Sequence, residues 1–369
     1  MNILLISPEA WTAHAVSKHH YALTLAQLGH QVFFLDPPDP SLRRWEFNLI
    51  SDEPNLKVIR GPTVARGIRF FPASLRRWIE RRWLLRLEEQ TESRIDVIWL
   101  FENSRFYDLR FADSRLKIYH QVDLNQNFHA GTAAATADIC FCTTDFIRDR
   151  LFPHNFFTYK IHHGTPLPVA RGSLSLDQSA RFLAGGINAV YVGNLDMHYL
   201  DVDLLAEAAR AHPAVRFHFV GGYSETGLLH RLAGCLDNVV WWNKVPSSLI
   251  PAILERADLL LVTYQAARWR DQASPHKFME YFASGKTVVS TYTDEYKDKR
   301  HLIEMADQVT DYLPTLDRVL SNLAHYNSAA RMAERKSFAE AHTYKKQISR
   351  IFQLIHKQSM EKTRVESRS

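Results

Sequence analysis

The stretch Ser274-Pro-His-Lys-Phe-Met-Glu-Tyr-Phe-Ala-Ser-Gly-Lys-Thr-Val-Val-Ser290 reads as one helix that runs into one strand. Pro275 stands where a helix can begin, because the N–H it lacks would have had no intrahelical partner. Gly285 stands where the helix must end, at a position that favours positive φ. The run 287–291 then reads as a buried strand. At the helix start the free N–H groups and the dipole favour an anion; Lys277 adds a full positive charge beside Pro275 and His276. Glu280, three residues on, shares a helix face with Lys277 and can accept hydrogen bonds from ribose hydroxyls. A ribose and a diphosphate fit side by side on such a turn. An ordinary surface Lys–Glu pair on a capped helix is the competing reading.

Outward from this segment, apolar strands alternate with amphipathic helices almost from end to end, the mark of parallel sheets covered on both faces. Strands are expected at 2–6, 31–35, 56–59, 95–101, 116–120, 139–142 and 159–162, with a helix at 17–28 stopped by Gly29. The stretch 163–168, followed by a polar segment, reads as a hinge. A second series begins after it, with strands at 189–192, 215–220, 239–242, 259–263 and 287–291. Its helices are expected at 201–211, after Gly222, and at 247–256 (capped by Ser247), 277–283, 313–324 and 330–355. The polar tail after Lys357 is expected to fray. The result is an α/β chain of two Rossmann-like domains, 1–168 and 169–340, with a C-terminal helix and polar tail at 341–369. Ligands of such sheets bind outside the carboxyl ends of the strands, here facing a central cleft.

Composition narrows the classes. The chain has 369 residues, 46% hydrophobic and 23% charged, the balance of a globular protein with a full core. No run of ~18 apolar residues suggests a membrane span. The start, Met1-Asn-Ile-Leu-Leu-Ile-Ser7, reads as a first strand and not as a secretory signal. Three cysteines make neither a disulfide framework nor a zinc cluster, so a reducing cytoplasm is the expected compartment. A net charge of +5 is too small to imply nucleic acid.

The 274–290 segment resembles the P-x-K-x-x-E-Y-x-A-x-G-K-x-V-V signature of bacterial GT-B glycosyltransferases. Val190-Tyr-Val-Gly-Asn194, Arg216-Phe-His-Phe-Val-Gly-Gly222 and the stretch from Val245 to Tyr264 agree in order. Within that group the chain looks most similar to the membrane-associated glucuronosyltransferase of xanthan synthesis, through His162-His163-Gly164 and Gly186-Ile-Asn-Ala-Val-Tyr-Val-Gly193. The resemblance implies a GT-B fold and a nucleotide-sugar donor, with UDP the expected nucleotide. It implies that Tyr264 frames the uracil–ribose end, Lys277 the diphosphate and Glu280 the ribose, where the relative has glutamine. Gly193, Asn194, Gly221 and Gly222 join the donor set, the glycine pair allowing a close backbone approach. The larger retaining group differs. Its paired glutamates sit eight residues apart, and Gln272 stands eight before Glu280; Asn194 and Leu200 replace its basic residues. Its Gly-Gly loop is replaced by the stretch from Pro8 to Lys18. These departures favour an inverting transfer, with Lys277 the main side-chain charge on the diphosphate.

An inverting transfer needs a base near the acceptor hydroxyl. Asp123, just past the strand 116–120, is the candidate, with His120 as substitute and His14 a weaker one. A turn-forming or helix-capping role for Asp123 competes. Asp201-Val-Asp203 matches a short metal motif but reads as the acidic start of a helix, so neither metal nor cofactor is expected. The stretch 66–86 is basic and aromatic. Its residues Arg76, Arg77, Trp78, Arg81, Arg82 and Trp83 make either an interfacial helix on anionic lipid or a helix packed on the first sheet with arginines in water.

Taken together, these readings give a metal-independent transferase moving a sugar from a nucleotide-diphosphate donor to a saccharide or lipid-linked saccharide in cell-surface or exopolysaccharide synthesis. It would work in the cytoplasm, with peripheral attachment to the inner membrane face. A retaining transferase, a sugar-nucleotide epimerase of the same fold and a non-catalytic membrane-surface protein are the alternatives.

Overall fold

The computed structural model describes residues 1–13, 16–50, 52–124, 128–166, 172–224, 236–268 and 274–366. The chain divides into two compact units, Met1–Gly164 with Tyr344–Ser369, and Thr165–Thr343.

In the first unit the described strands are β1 (Asn2–Ile6), β2 (Gln31–Leu35), β3 (Glu46–Ile50), β4 (Glu53–Arg60), β5 (Val97–Leu100), β6 (Leu116–Gln121), β7 (Ile139–Cys142) and β8 (Thr158–Lys160). They form one sheet in the order β3-β4-β2-β1-β5-β6-β7-β8, parallel throughout except for the β3–β4 hairpin. Strands covered on both faces have no polar side to show, which is why Ile3, Leu4, Leu5 and Ile6 are all fully buried. The helix Ser17–Gln27 crosses from β1 to β2 and ends at Gly29, whose φ of 86° is open to glycine at little cost. The helix Tyr344–Glu366 returns to this unit and seats Tyr344, Ile348 and Ile351 in its core.

The second unit has a six-stranded parallel sheet in the order β11-β10-β9-β12-β13-β14. Its strands are β9 (Ile187–Val192), β10 (Val215–Val220), β11 (Val239–Asn243), β12 (Leu259–Val262), β13 (Thr287–Ser290) and β14 (Glu304–Met305). Chain order runs outward from β9 to one edge and from β12 to the other, so the carboxyl ends of β9 and β12 flank the switch point where a doubly wound sheet binds its ligand. The helix Lys277–Ser284 closes at Gly285, at a φ of 78°.

Four local expectations needed correction. The helix expected over 330–355 is two, Ala329–Ala341 and Tyr344–Glu366. Thr165 causes the break by donating its Oγ1 hydrogen bond to Ala339 O (2.7 Å) and its amide to His342 O (2.8 Å), carbonyls a continuing helix would have used. Ser247 does not cap its helix; a 3-10 turn, Ser247–Leu249, leads into Ile250–Arg256, which carries Pro251 in its first turn. The tail stays helical as far as Glu366. The edge strands β3 and β14 had not been expected at all.

Candidate functional site

In the second unit, β9 carries the chain to Tyr191, Val192 and then Gly193. Tyr191 is buried, and Lys277 Nζ donates a hydrogen bond to its phenol oxygen at 3.0 Å. The same ammonium lies 4.1 Å from the centre of the Tyr191 ring and 5.6 Å from that of Tyr264. Lys277 is thus flanked by two aromatic rings, and Tyr191 Oη is the one hydrogen-bond partner of its ammonium among the described residues. Tyr281, one turn along the Lys277 helix, accepts the Val192 amide on its phenol oxygen (2.8 Å) and ties that helix to the end of β9.

The glycines explain how the strand ends come so close. Gly193 has a φ of 153°, and a Cβ there would lie 2.7 Å from Lys277 Nζ and 2.9 Å from Tyr191 Oη. Gly221, at a φ of 150°, would place a Cβ 1.8 Å from Gly193 O. Backbone therefore packs on backbone where β9 and β10 end, pinned by Gly193 N donating to Val220 O (2.9 Å) and Gly221 N to Asn243 O (3.0 Å). Gly222 differs, because a Cβ there would meet nothing within 4 Å. Asn194 is exposed and folds its Oδ1 onto the Asp196 amide (3.0 Å), shaping the turn after β9.

Tyr264 stands two residues past β12. Its amide donates to Thr291 Oγ1 (2.7 Å), and its ring meets Tyr199 edge-on with centres 5.4 Å apart. Its phenol oxygen is buried with no hydrogen-bond partner among the described residues, which leaves it a donor for an incoming group. Glu280 and Lys277 are both half-buried. Burial pulls the Lys277 ammonium down to about 7, with the charge of Glu280 opposing; burial pushes the Glu280 carboxyl up to about 7, with Lys277 opposing. Pro275 is buried and His276 half-buried at the helix start. The amides of Phe278 and Met279 already donate to the carbonyls of Pro275 (3.3 Å) and His276 (3.1 Å). The positive charge offered to an anion is therefore chiefly that of Lys277.

Asp201 Oδ1 accepts from the Leu204 amide at 3.0 Å and caps the helix Val202–Ala211, with Asp203 in its first turn. No group of three metal-ligating side chains occurs among the described residues. Gln272, His14 and the stretch 225–235, where a helix is expected after Gly222, lie outside the described residues.

In the first unit, Asp123 lies two residues past β6 with its side chain half exposed. The buried ammonium of Lys18 sits 3.6 Å from Asp123 Oδ2 and 3.1 Å from Glu9 Oε1, and so holds the two carboxylates beside the end of β1. His120 is 1% exposed, stacked on Phe101 (ring centres 4.8 Å apart) and set edge-on to Tyr21. Burial holds its imidazole well below the usual range, His163 and Lys18 adding to the effect, so it stays neutral. Asp123 is half exposed, whereas His120 is buried among the rings of Tyr21, Trp99, Phe101 and Phe141.

The basic stretch forms a 3-10 turn, Ile68–Phe70, and the helix Ala73–Thr91. Its charges divide by face. Arg76 is 7% exposed; it hydrogen-bonds Tyr107 Oη and lies 3.5 Å from Asp108. Trp83 is 8% exposed and packs on Trp45 and Phe106. Arg77 pairs with Asp108 (4.0 Å) and Arg81 with Asp113 (2.9 Å). Trp78 is 55% exposed, with the Arg82 guanidinium 5.2 Å over its ring. A lipid surface could therefore meet Trp78, Arg81 and Arg82 but not Arg76 or Trp83. No helix among the described residues is long and apolar enough to cross a membrane.

Two residues of the site escaped the sequence reading, Tyr191 and Tyr281. Each sits at a core position of its element and so looked like packing; the one available signal was that both aromatics lie inside the quoted motifs.

Residues 186–322, which include β9 to β14 and Lys277, match the family Glycosyl transferases group 1. Curated protein sequences give no match. Among solved structures, Anabaena HepE in complex with UDP and glucose is similar over 96% of this chain and 99% of that one, at a TM-score of 0.67 and 12% identity. The catalytic domain of Arabidopsis thaliana starch synthase IV, bound to ADP and acarbose, is similar over 97% of this chain and 99% of that one, at 0.65 and 11%. WaaG, a glycosyltransferase involved in lipopolysaccharide biosynthesis, is similar over 92% and 95%, at 0.55 and 14%. The chain has the GT-B fold of these structures.

Proposed function

We propose that this chain is a glycosyltransferase that takes a sugar from a nucleoside-diphosphate donor held by the second unit. The acceptor is a saccharide or lipid-linked saccharide held by the first. One observation carries the reading: Lys277, caged by Tyr191 and Tyr264 at the carboxyl ends of β9 and β12, beside two glycines that a side chain would force apart. That is where a doubly wound sheet presents a ligand, and the charge there is positive. The 186–322 family match covers the same residues.

In this reading Lys277 faces the diphosphate, Glu280 the ribose and Tyr264 the base–ribose end. UDP is the first choice of nucleotide. The step is a single inverting displacement. Asp123 takes the proton from an acceptor hydroxyl; that oxygen bonds to the anomeric carbon as the bond from that carbon to the phosphate oxygen breaks. The nucleoside diphosphate leaves with the electron pair, and Lys277 offsets the charge it gains. The chemistry needs no metal. The polymer-synthesis role follows from the resemblance to the xanthan-type enzyme and from the exposed Trp78, Arg81 and Arg82, which suit a cytoplasmic enzyme resting on an anionic bilayer.

Thermal denaturation with UDP-, GDP-, ADP- and dTDP-sugars tests the donor half. A ligand at 100 times its Kd stabilises by ~2.7 kcal/mol, so one nucleotide should raise Tm by several degrees. Addition of extracted lipid-linked saccharide should then release nucleoside diphosphate. No shift with any of the four would overturn the reading.

A further inference from the structure

The first unit, assigned the acceptor above, holds two neighbouring cavities. The smaller, about 480 Å³, opens past the carboxyl ends of β2, β4 and β5 and is lined by Asp36, Gly61, Glu80, Arg105, Phe106 and Tyr107 among others. The larger, about 830 Å³, is lined by Arg43, Arg44, Trp78, Arg82, Arg86 and Glu89. Trp45, Pro62, Thr63, Val64 and Trp83 line both. Both volumes fall in the ~300–1,000 Å³ range of small-molecule sites.

The polar groups of the two differ in kind. Glu80, in the smaller cavity, is 1% exposed and its Oε2 has no hydrogen-bond partner among the described residues. Burial pushes its carboxyl up to about 8, against Arg76 and with Asp108, so at neutral pH it mostly carries a proton and can donate. Arg76 and Arg105 border the same space, and Trp45, Trp83 and Phe106 supply flat apolar faces. A buried polar atom with no partner beside aromatic faces suits a ring with hydroxyls on its edge and C–H groups on its face.

The larger cavity carries charge in excess. Elsewhere on the helix Ala73–Thr91, arginines have an acid within ion-pair distance, Arg77 the carboxylate of Asp108 at 4.0 Å and Arg81 that of Asp113 at 2.9 Å. Among the described residues Arg43, Arg44, Arg82 and Arg86 have no carboxylate within ion-pair distance, and Glu89 is the one acid on the cavity wall. Four guanidiniums around one opening favour a phosphate.

We propose that these cavities together bind a glycosyl phosphate, with the sugar against Trp45, Trp83 and Glu80 and the phosphate among Arg43, Arg44, Arg82 and Arg86. This names the acceptor class of the transfer proposed above and rests on that reading. The phosphate comes either from a free sugar phosphate or from the headgroup of a lipid-linked sugar.

The test is calorimetry on the full chain with inorganic phosphate, with the 1-phosphates of glucose, galactose, mannose and N-acetylglucosamine, and with the same sugars as farnesyl diphosphates. At least one sugar-bearing probe should bind tenfold or more tighter than inorganic phosphate. Arg82→Gln/Arg86→Gln, both at exposed positions, should weaken it tenfold or more and leave UDP affinity unchanged. Trp45→Leu should weaken sugar-bearing probes and leave inorganic phosphate unmoved. Binding of the farnesyl-linked probes alone identifies the lipid-linked source; equal binding of both sets identifies the free one. Sugar probes no tighter than inorganic phosphate, or untouched by the arginine substitutions, overturn the proposal. Failure of UDP to bind the wild type strikes the donor reading instead, and the two results are read in separate titrations.

Discussion

Lys277→Met is the sharpest perturbation of the donor site. Methionine keeps an unbranched stem between the Tyr191 and Tyr264 rings and removes only the charge, so packing should survive. The ammonium spends one N–H on Tyr191 Oη at 3.0 Å and keeps the others for a phosphate oxygen. A hydrogen bond to a charged group contributes ~1.5–3 kcal/mol, which corresponds to about 10- to 150-fold in Kd for UDP. A pH signature accompanies the loss. Burial pulls Lys277 down to about 7 in the free protein, while an arriving diphosphate favours its charged form. Above pH 7 the free protein has therefore lost a proton that the complex regains: wild-type affinity should fall as pH rises through 7 to 9, and binding at pH 8 should take up close to one proton. Isothermal calorimetry in two buffers of different ionisation enthalpy reads both quantities. In Lys277→Met the uptake should vanish along with the affinity. A loss smaller than threefold, or the same proton uptake in both proteins, would refute the assignment of Lys277 to the diphosphate.

Asp123→Asn should keep UDP affinity within twofold and lower turnover ~10²-fold or more, because the amide cannot take a proton; a rate above a tenth of wild type removes Asp123 as the base. Gly221→Ala would put a methyl 1.8 Å from Gly193 O at a φ of 150°, so it should cost ~1–3 kcal/mol, lower Tm by several degrees and weaken UDP. Gly222→Ala, with open space around it, should leave both measurements nearly unchanged, and equal effects at the two glycines would count against the backbone contact. The wild-type chain should sediment with phosphatidylglycerol vesicles in low salt and be released at 1 M, where the Debye length is ~3 Å; Trp78→Ser/Arg81→Gln should not sediment, and indifference of the wild type to vesicles would end the membrane reading.

Much of the fold could be read from the chain because buried parallel strands announce themselves as short apolar runs and glycines mark the helix ends, as at Gly29 and Gly285. The edge strand Glu46–Ile50 gave no such signal: it pairs on one side only and mixes exposed Glu46, Asn48 and Leu49 with half-buried Phe47 and Ile50. The break at His342-Thr343 was hidden for another reason. The helical period continues on both sides without glycine or proline, and the break depends on Thr165, far away in sequence. In the candidate site, Lys277 and Glu280 stood out in the sequence because their charge and spacing suit a ligand, and Tyr264 only through the family resemblance. Tyr191 and Tyr281 were not, since a buried phenol that positions a lysine or an amide looks like any core aromatic. The arginines of the 66–86 stretch were alike in sequence; which of them turned inward was decided by Asp108 and Tyr107, which periodicity does not register.

The central claim is that a nucleoside diphosphate sits at the carboxyl ends of β9 and β12. A crystal structure of the chain with UDP tests it most directly. The diphosphate should lie within ~2.7–2.9 Å of Lys277 Nζ. The ribose should lie beside Glu280, and the base end toward Tyr264. Diphosphate density elsewhere, with Lys277 still turned onto Tyr191 and no ligand oxygen within reach, would contradict the account.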